Sequence, residues 1–240
     1  MWRFSTFGAI AAVAGLALVP AANGATSDER AQPVVTARVV LPSTALAAPR
    51  WGAKRLMLLE GATTWTGSAQ RLMVTGRHTD TAGRSWVRVQ LPVRPNESAG
   101  WVRANRVRLS ATRVRFEVHL GSRRLEIWRG TRRLHAWSAG VGRAATPTPV
   151  GRFAIQDPVP TLPSWRSVYG AWTLTLTAHS NALRTFMGGD ALVAIHGAGS
   201  GRSWRVGQAS SYGCVILGER ELAVAARYAR AGTPVVIDRS

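Results

Sequence analysis

The sequence holds one cysteine, Cys214, and a histidine, His196, eighteen positions before it. Cysteine attacks as the thiolate, and a free pKa near 8.5 leaves only a small ionised fraction at neutral pH. A nearby imidazole could take the thiol proton, so the two side chains could act as nucleophile and base in acyl transfer. On its own, a single cysteine could equally be an intermolecular pairing site or an inert core residue.

The residues around these two side chains favour a reactive site. His196 ends the apolar run 192–195, a Gly- and Ser-rich loop follows from Gly197 to Ser210, and the sequence Ser-Tyr-Gly-Cys occupies 211–214. Gly213 allows backbone amides to approach a developing oxyanion, which stabilises acyl-transfer intermediates. The apolar residues 215–217 alone would raise the pKa of the thiol, so the cysteine needs a partner such as His196.

Composition predicts a folded chain with a basic surface. Of the 240 residues, 46% are hydrophobic and ten are Trp, which is enough to build a core. The net charge of +19 comes almost wholly from arginines spread along the chain, with Lys54 as the only lysine. This charge favours attraction to a polyanion such as an anionic wall polymer, or is simply an arginine-rich solvated surface. Nothing in the pattern indicates a specific nucleic-acid motif.

The N-terminal residues predict export. Arg3 precedes an uncharged run, 7–19, and small residues suited to signal peptidase follow, so residues 1–25 are interpreted as a signal peptide. The alternative is an uncleaved membrane anchor. Either way, the rest of the chain is expected in the cell wall or the periplasmic space. No internal disulfide is possible with one cysteine.

The remaining chain divides into three predicted parts. Residues 26–50, rich in Ala, Pro, Thr and Ser, are expected to be mostly linker. Residues 51–110 show short alternating strands separated by turns, as in a small β-barrel. Residues 111–240 predict a second β-rich domain with a single helix, 219–231, before a closing strand. The predicted fold class is therefore mainly β.

The four other histidines are interpreted as solvated or structural. They are His78, His119, His135 and His179, and their spacing fits no metal site. Neither a metal nor an organic cofactor is expected.

The second β-rich domain resembles the L,D-transpeptidase catalytic domain family. That family carries a His, a spacer, and then Ser/Thr-His-Gly-Cys, and this chain matches at His196, Ser211, Gly213 and Cys214. The segment 145–153, ATPTPVGRF, resembles the family's TPTPxGxF segment, and the resemblance spans residues 112–238. Tyr212 stands where the family has its second His.

A further departure lies beyond the cysteine, where Ile216 replaces the family's Asn or Arg. The resemblance implies a β-sandwich-like catalytic domain.

Residues 51–110 in turn resemble a bacterial Src-homology-3-type barrel, a module that accompanies wall enzymes.

The resemblance also implies a mechanism. Cys214 would attack a peptidoglycan stem peptide and form a thioester, with His196 as its base, Ser211 orienting the site and amides near Gly213 holding the oxyanion. An amine on another stem or water would then resolve the thioester, giving a 3-3 crosslink or loss of the terminal D-Ala. A carbapenem, as a β-lactam, would acylate the same cysteine.

Three residues near this site are expected to contact the substrate: Tyr212, Gly197 and Trp204. The alternative function is a non-catalytic wall-binding protein, in which the departures at 212 and 216 mark a decayed site.

Overall fold

The computed structural model describes residues 25–200 and 205–240. The predicted signal peptide, apart from Ala25, lies outside these residues. Within the described ranges, no helix combines the length and apolar character needed to cross a membrane.

The protein is mainly β, as predicted, with two large sheets and a small one. The helices are α1 (Ser27–Ala31), α2 (Arg166–Tyr169) and α3 (Glu219–Tyr228), and short 3-10 turns cover Ala104–Arg106 and Pro163–Trp165. The strands are β1 (Val34–Val39), β2 (Ser43–Leu46), β3 (Arg55–Leu59), β4 (Arg71–Thr79), β5 (Ser85–Gln90), β6 (Ala99–Arg103), β7 (Val107–Thr112), β8 (Val114–His119), β9 (Arg124–Arg129), β10 (Arg132–Ser138), β11 (Val141–Gly142), β12 (Gly151–Pro160), β13 (Trp172–His179), β14 (Leu192–Gly197), β15 (Ala209–Ser211), β16 (Val215–Leu217) and β17 (Pro234–Asp238).

The first sheet has seven strands in the order β3-β2-β6-β5-β4-β1-β7 and is nearly barrel-shaped. Its core is formed by small and branched apolar residues, among them Ala37, Leu59, Val89 and Val102. That this sheet belongs to the Src-homology-3 type remains a prediction.

The segment 26–50, expected to be mostly linker, instead carries α1, β1 and β2. Strand β1 pairs with β7 over six residues and with β4 on its other side, so it lies inside the sheet. Its run Val-Val-Thr-Ala-Arg-Val is β-branched and buries Ala37 and Val39. The Ala- and Pro-rich composition on both sides of this strand is typical of a linker, so the sequence did not predict it.

The second sheet has eight strands in the order β10-β9-β8-β17-β12-β13-β14-β16. The closing strand β17 lies in its middle, parallel to β8 and antiparallel to β12. Its core gathers residues such as Phe116, Phe153, Leu174 and Ile195, all fully buried. Half of this sheet, β12-β13-β14-β16, supports the site described below.

Helix α3 packs on this core through Leu222 and Ala225. Two acids in its first turn and Arg227 in its last turn complement the helix dipole. The helix ends at Tyr228 rather than at the predicted residue 231, because Ala229 already has extended backbone angles.

One buried carboxylate joins the two sheets. Asp157 on β12 is fully buried, and its oxygens accept hydrogen bonds from the backbone N–H groups of Trp65 (3.1 Å) and Thr66 (3.0 Å) and from the Thr66 hydroxyl (2.6 Å). These three bonds hold the turn between β3 and β4 against β12.

A second joint lies at the turn after β5. The Asn96 side chain donates to the His179 carbonyl and accepts from the His179 N–H, both at 2.8 Å. Arg94 donates to the Ser180 carbonyl at 2.6 Å and pairs with Asp190 at 3.2 Å. The first sheet therefore braces the end of β13 and the loop that follows it.

We expect Asp157→Ala to lower the free energy of unfolding by about 2 kcal/mol or more, because three donors in the joint lose their acceptor. Urea denaturation measures the change, and Asp28→Ala at an exposed position of α1 is the matched control. Equal effects of the two substitutions would contradict the importance of this joint.

Candidate active site

The pairing of β14 with β16 brings His196 and Cys214 to one place. The strands are parallel, with Ile195 opposite Val215 and His196 opposite Ile216. Continuing this register by one residue sets Cys214 opposite Ala194. Side chains two apart on a strand share a face, so the thiol and the imidazole project from the same side of the sheet.

Both side chains line one cavity of about 600 Å³ on that side of the sheet. Its floor comes from β12, β13 and β14, and its walls from five connecting segments. The lining is mostly apolar and aromatic, as in many small-molecule sites. The lining residues are Trp65, Pro92, Gln156, Val159, Thr161, Leu162, Trp165, Tyr169, Thr173, Thr175, His179, Phe186, Met187, Gly189, Asp190, Ala191, Leu192, Ala194, His196 and Cys214.

Hydrogen bonding fixes the tautomer of His196. Its Nδ1 lies 2.7 Å from the Gly197 carbonyl oxygen, which can only accept, so Nδ1 carries the proton. Nε2 is then the basic nitrogen. The Tyr169 ring meets the imidazole edge-on with centroids 4.9 Å apart, which holds its orientation.

Burial keeps both groups neutral. Desolvation lowers the pKa of His196 to about 4, although the bond to Gly197 acts in the opposite direction. Desolvation also raises the pKa of Cys214 to about 11, opposed by a backbone hydrogen bond with Ala194. At neutral pH the site therefore rests as thiol and imidazole, and nucleophilic attack requires proton transfer between them.

Ser211 holds the turn that presents the cysteine. Its buried hydroxyl donates to the Cys214 carbonyl at 2.6 Å and accepts from the Gly213 N–H at 3.1 Å. Gly213 has φ of 118°, a conformation that side chains disfavour. Ser211 therefore stabilises the turn at Cys214 through backbone hydrogen bonds, and its role in orienting a nucleophile stays a prediction.

The Thr-Pro-Thr-Pro segment supports the same turn from outside. The Thr146 hydroxyl and the Arg143 N–H donate to the Ser211 carbonyl at 3.2 and 3.0 Å. Thr148 accepts from the Gly142 N–H at 2.9 Å, which ties the segment to β11. The two motifs found separately in the sequence are therefore in direct contact.

The three residues expected to contact substrate differ in their position relative to the cavity. Gly197 is buried outside the cavity lining, and an added Cβ there would lie 2.0 Å from a Glu219 carboxylate oxygen, so it serves close packing. Tyr212 is 39% exposed beside the cavity, between Arg143, 4.2 Å from its ring centroid, and Phe186. Trp204 lies outside the described residues.

Sequence reasoning missed several cavity residues. His179, expected to be solvated or structural, is buried, lines the cavity and bonds Asp190 through Nε2 at 3.1 Å. Tyr169 and Trp65 come from segments with no motif. Only their aromatic character could have suggested a role, and ten tryptophans dilute that signal.

A separate polar cluster lies on the other half of the sheet. Glu117, His119 and Glu126 have ligand atoms within 4.8 Å of one another. Arg30 pairs with Glu117 at 2.6 Å and Arg133 with Glu126 at 3.0 Å, so these carboxylates take part in an ion-pair network.

We expect Gly213→Ala to destabilise the protein by about 1–3 kcal/mol, because alanine is strained at this φ even though its Cβ would meet only ordinary contacts. Thermal unfolding measures the loss, and Gly189→Ala, whose φ is not in the left-handed region, is the control. A variant as stable as the control would show that the turn has no strained position.

Several solved structures of L,D-transpeptidases are similar to this chain. A Mycobacterium smegmatis L,D-transpeptidase is 15% identical, over 68% of this chain and 97% of that one, with a TM-score of 0.40. An Enterococcus faecium catalytic domain acylated by ertapenem is 16% identical, over 52% and 95%, with a TM-score of 0.38. An Enterococcus faecium L,D-transpeptidase mutant is 16% identical, over 52% and 49%, with a TM-score of 0.38.

The chain spans about half the length of that last protein and of a Bdellovibrio bacteriovorus protein, of which it covers 48%. No curated protein is significantly similar to the chain. The sequence model of the YkuD family, described as the L,D-transpeptidase catalytic domain, matches residues 113–237, which is more than half of the chain. The chain therefore belongs to the L,D-transpeptidase catalytic domain family.

Proposed function

We propose that this protein is an active L,D-transpeptidase that forms a thioester between Cys214 and a peptidoglycan stem peptide. The observation that carries the proposal is the convergence of Cys214 and His196 on one cavity, with the basic Nε2 of the imidazole left unprotonated by the bond from Nδ1 to Gly197. We further propose that the protein is exported and acts in the cell wall or periplasmic space.

The first half of the reaction forms the thioester. The Cys214 thiol proton moves to Nε2 of His196 as sulfur attacks the carbonyl carbon of the third stem residue. The tetrahedral intermediate collapses, its C–N bond breaks, and the imidazolium returns the proton to the departing amine, so D-Ala leaves. Because desolvation disfavours either charge alone, the ion pair forms only during attack.

The second half resolves the thioester. An amine of another stem, or water, attacks the thioester carbonyl and gives a proton to His196. The Cys214 thiolate then leaves and takes that proton back from the imidazolium. An amine acceptor yields a 3-3 crosslink, and water yields the trimmed peptide.

The oxyanion is assigned to the backbone amide of Cys214. The Gly213 N–H, expected to share this task, is already bonded to the Ser211 hydroxyl, so the contribution of Gly213 is the conformation of the turn. A backbone donor of this kind contributes about 3 kcal/mol to the acyl-transfer barrier.

Intact-mass measurement after incubation with a carbapenem tests the nucleophile. We expect one adduct on the native protein and none on Cys214→Ala. His196→Gln should slow acylation by about 100-fold or more, because the general base is lost. His78→Gln, at an exposed position on β4, is the matched control.

A native protein that forms no adduct and converts no stem tetrapeptide would contradict the proposal. The chain would then fit the alternative of a wall-binding protein whose catalytic site has decayed.

A further inference from the structure

An exposed tryptophan from the first sheet reaches the active-site cavity. Trp65 lies in the turn between β3 and β4, lines the cavity and remains 50% exposed. His196 lies on β14 and Cys214 directly before β16 of the second sheet, whereas Trp65 and Pro92 are the two lining residues that the turns of the first sheet supply among the described residues.

The backbone of this tryptophan is fixed. Its N–H and that of Thr66 share one oxygen of Asp157, at 3.1 and 3.0 Å, and the Thr66 hydroxyl binds the other oxygen. Asp157 is fully buried within β12. If the turn moved away from the strand, its two N–H groups and the Thr66 hydroxyl would lose their acceptor, which costs free energy. A half-exposed indole on a rigid turn is a preorganised contact surface.

The sheet sets the spacing between Cys214 and Asp157, the carboxylate that holds the Trp65 turn. Continuing the β14–β16 register sets Cys214 opposite Ala194, Ala194 pairs with Thr175, and Thr175 pairs with Asp157. Three steps between neighbouring strands at about 4.8 Å give about 14 Å between the Cys214 and Asp157 backbones. An extended chain covers that distance in about four residues.

We propose that Trp65 packs against a sugar ring of the glycan strand that carries the acyl-donor stem. This inference rests on the proposed function, since the reacting carbonyl then belongs to the third stem residue and the sugar follows after three residues. The C–H face of a pyranose ring is apolar and fits the flat apolar face of an indole.

The neighbouring groups agree with a sugar in this position. Gln156 adds an amide to the lining at the bulge of β12, while the Thr161 and Thr175 hydroxyls are bonded within the protein. Trp165, 43% exposed, contacts Tyr169, whose ring meets His196, so it belongs to the aromatic groups around the imidazole.

Competing substrates test the contact. The acylation efficiency, kcat/KM, is measured for a disaccharide-linked stem tetrapeptide and for the free tetrapeptide. We expect the native protein to prefer the disaccharide-linked form by about tenfold, the equivalent of 1.4 kcal/mol. Trp65→Ala should reduce this preference to about one, and Trp65→Phe should restore part of it.

The chain offers a matched control in Trp51, which is 61% exposed in the turn between β2 and β3, meets Trp86 edge-on and does not line the cavity. Trp51→Ala should keep the full preference. If Trp65→Ala lowers kcat/KM for both substrates equally, the residue contacts the peptide and the sugar proposal is overturned.

Failure of the proposed function has a separate signature, because a native protein without turnover gives no kcat/KM for either substrate. Isothermal titration of the two ligands into Cys214→Ala then measures the same preference as a ratio of Kd values. A ratio near one, or a ratio that Trp65→Ala leaves unchanged, overturns the role of Trp65 whether or not the protein is a catalyst.

Discussion

The parallel pairing of β14 with β16 is the constraint on which the site depends. It aligns Ile195 with Val215 and so brings two side chains eighteen residues apart onto one face. The turn before β16 must then present the cysteine, and Ser211 holds that turn by binding the amide before the nucleophile and the carbonyl of the nucleophile itself. The Thr146 hydroxyl of the Thr-Pro-Thr-Pro segment and the Arg143 N–H both donate to the carbonyl of the same serine.

Desolvation determines how the pair can work. The largely apolar surroundings of the two side chains remove the stabilisation of a lone thiolate or imidazolium, so the pKa of Cys214 rises and that of His196 falls. In the proposed mechanism the thiol is neutral at rest and ionises only with a substrate carbonyl in place.

The sequence predicted the parts of the fold that carry a regular pattern. The single helix predicted at 219–231 is present as α3, and residues 51–110 contain the short strands that their pattern predicted. Strand β1 was missed because it is stabilised by pairing with β7, which lies about seventy residues further along the chain. The end of α3 was misplaced because it depends on one residue with extended backbone, Ala229. In the site, the two motifs pointed to Cys214 and His196. Trp65 reaches the cavity because Asp157 of the second sheet holds its turn, which no local pattern encodes, and His179 lies on β13, a strand of the cavity floor.

The central claim is that His196 serves as the base for a neutral Cys214 thiol. The most direct test is the pH dependence of carbapenem acylation in the native protein and in His196→Gln. The account predicts a rate that rises at low pH as the imidazole, with its pKa of about 4, loses its proton, and then stays level from about pH 6 to about pH 9. A rate that instead climbs about tenfold per pH unit throughout this range, unchanged by His196→Gln, would mean that the thiol ionises alone and would contradict the account.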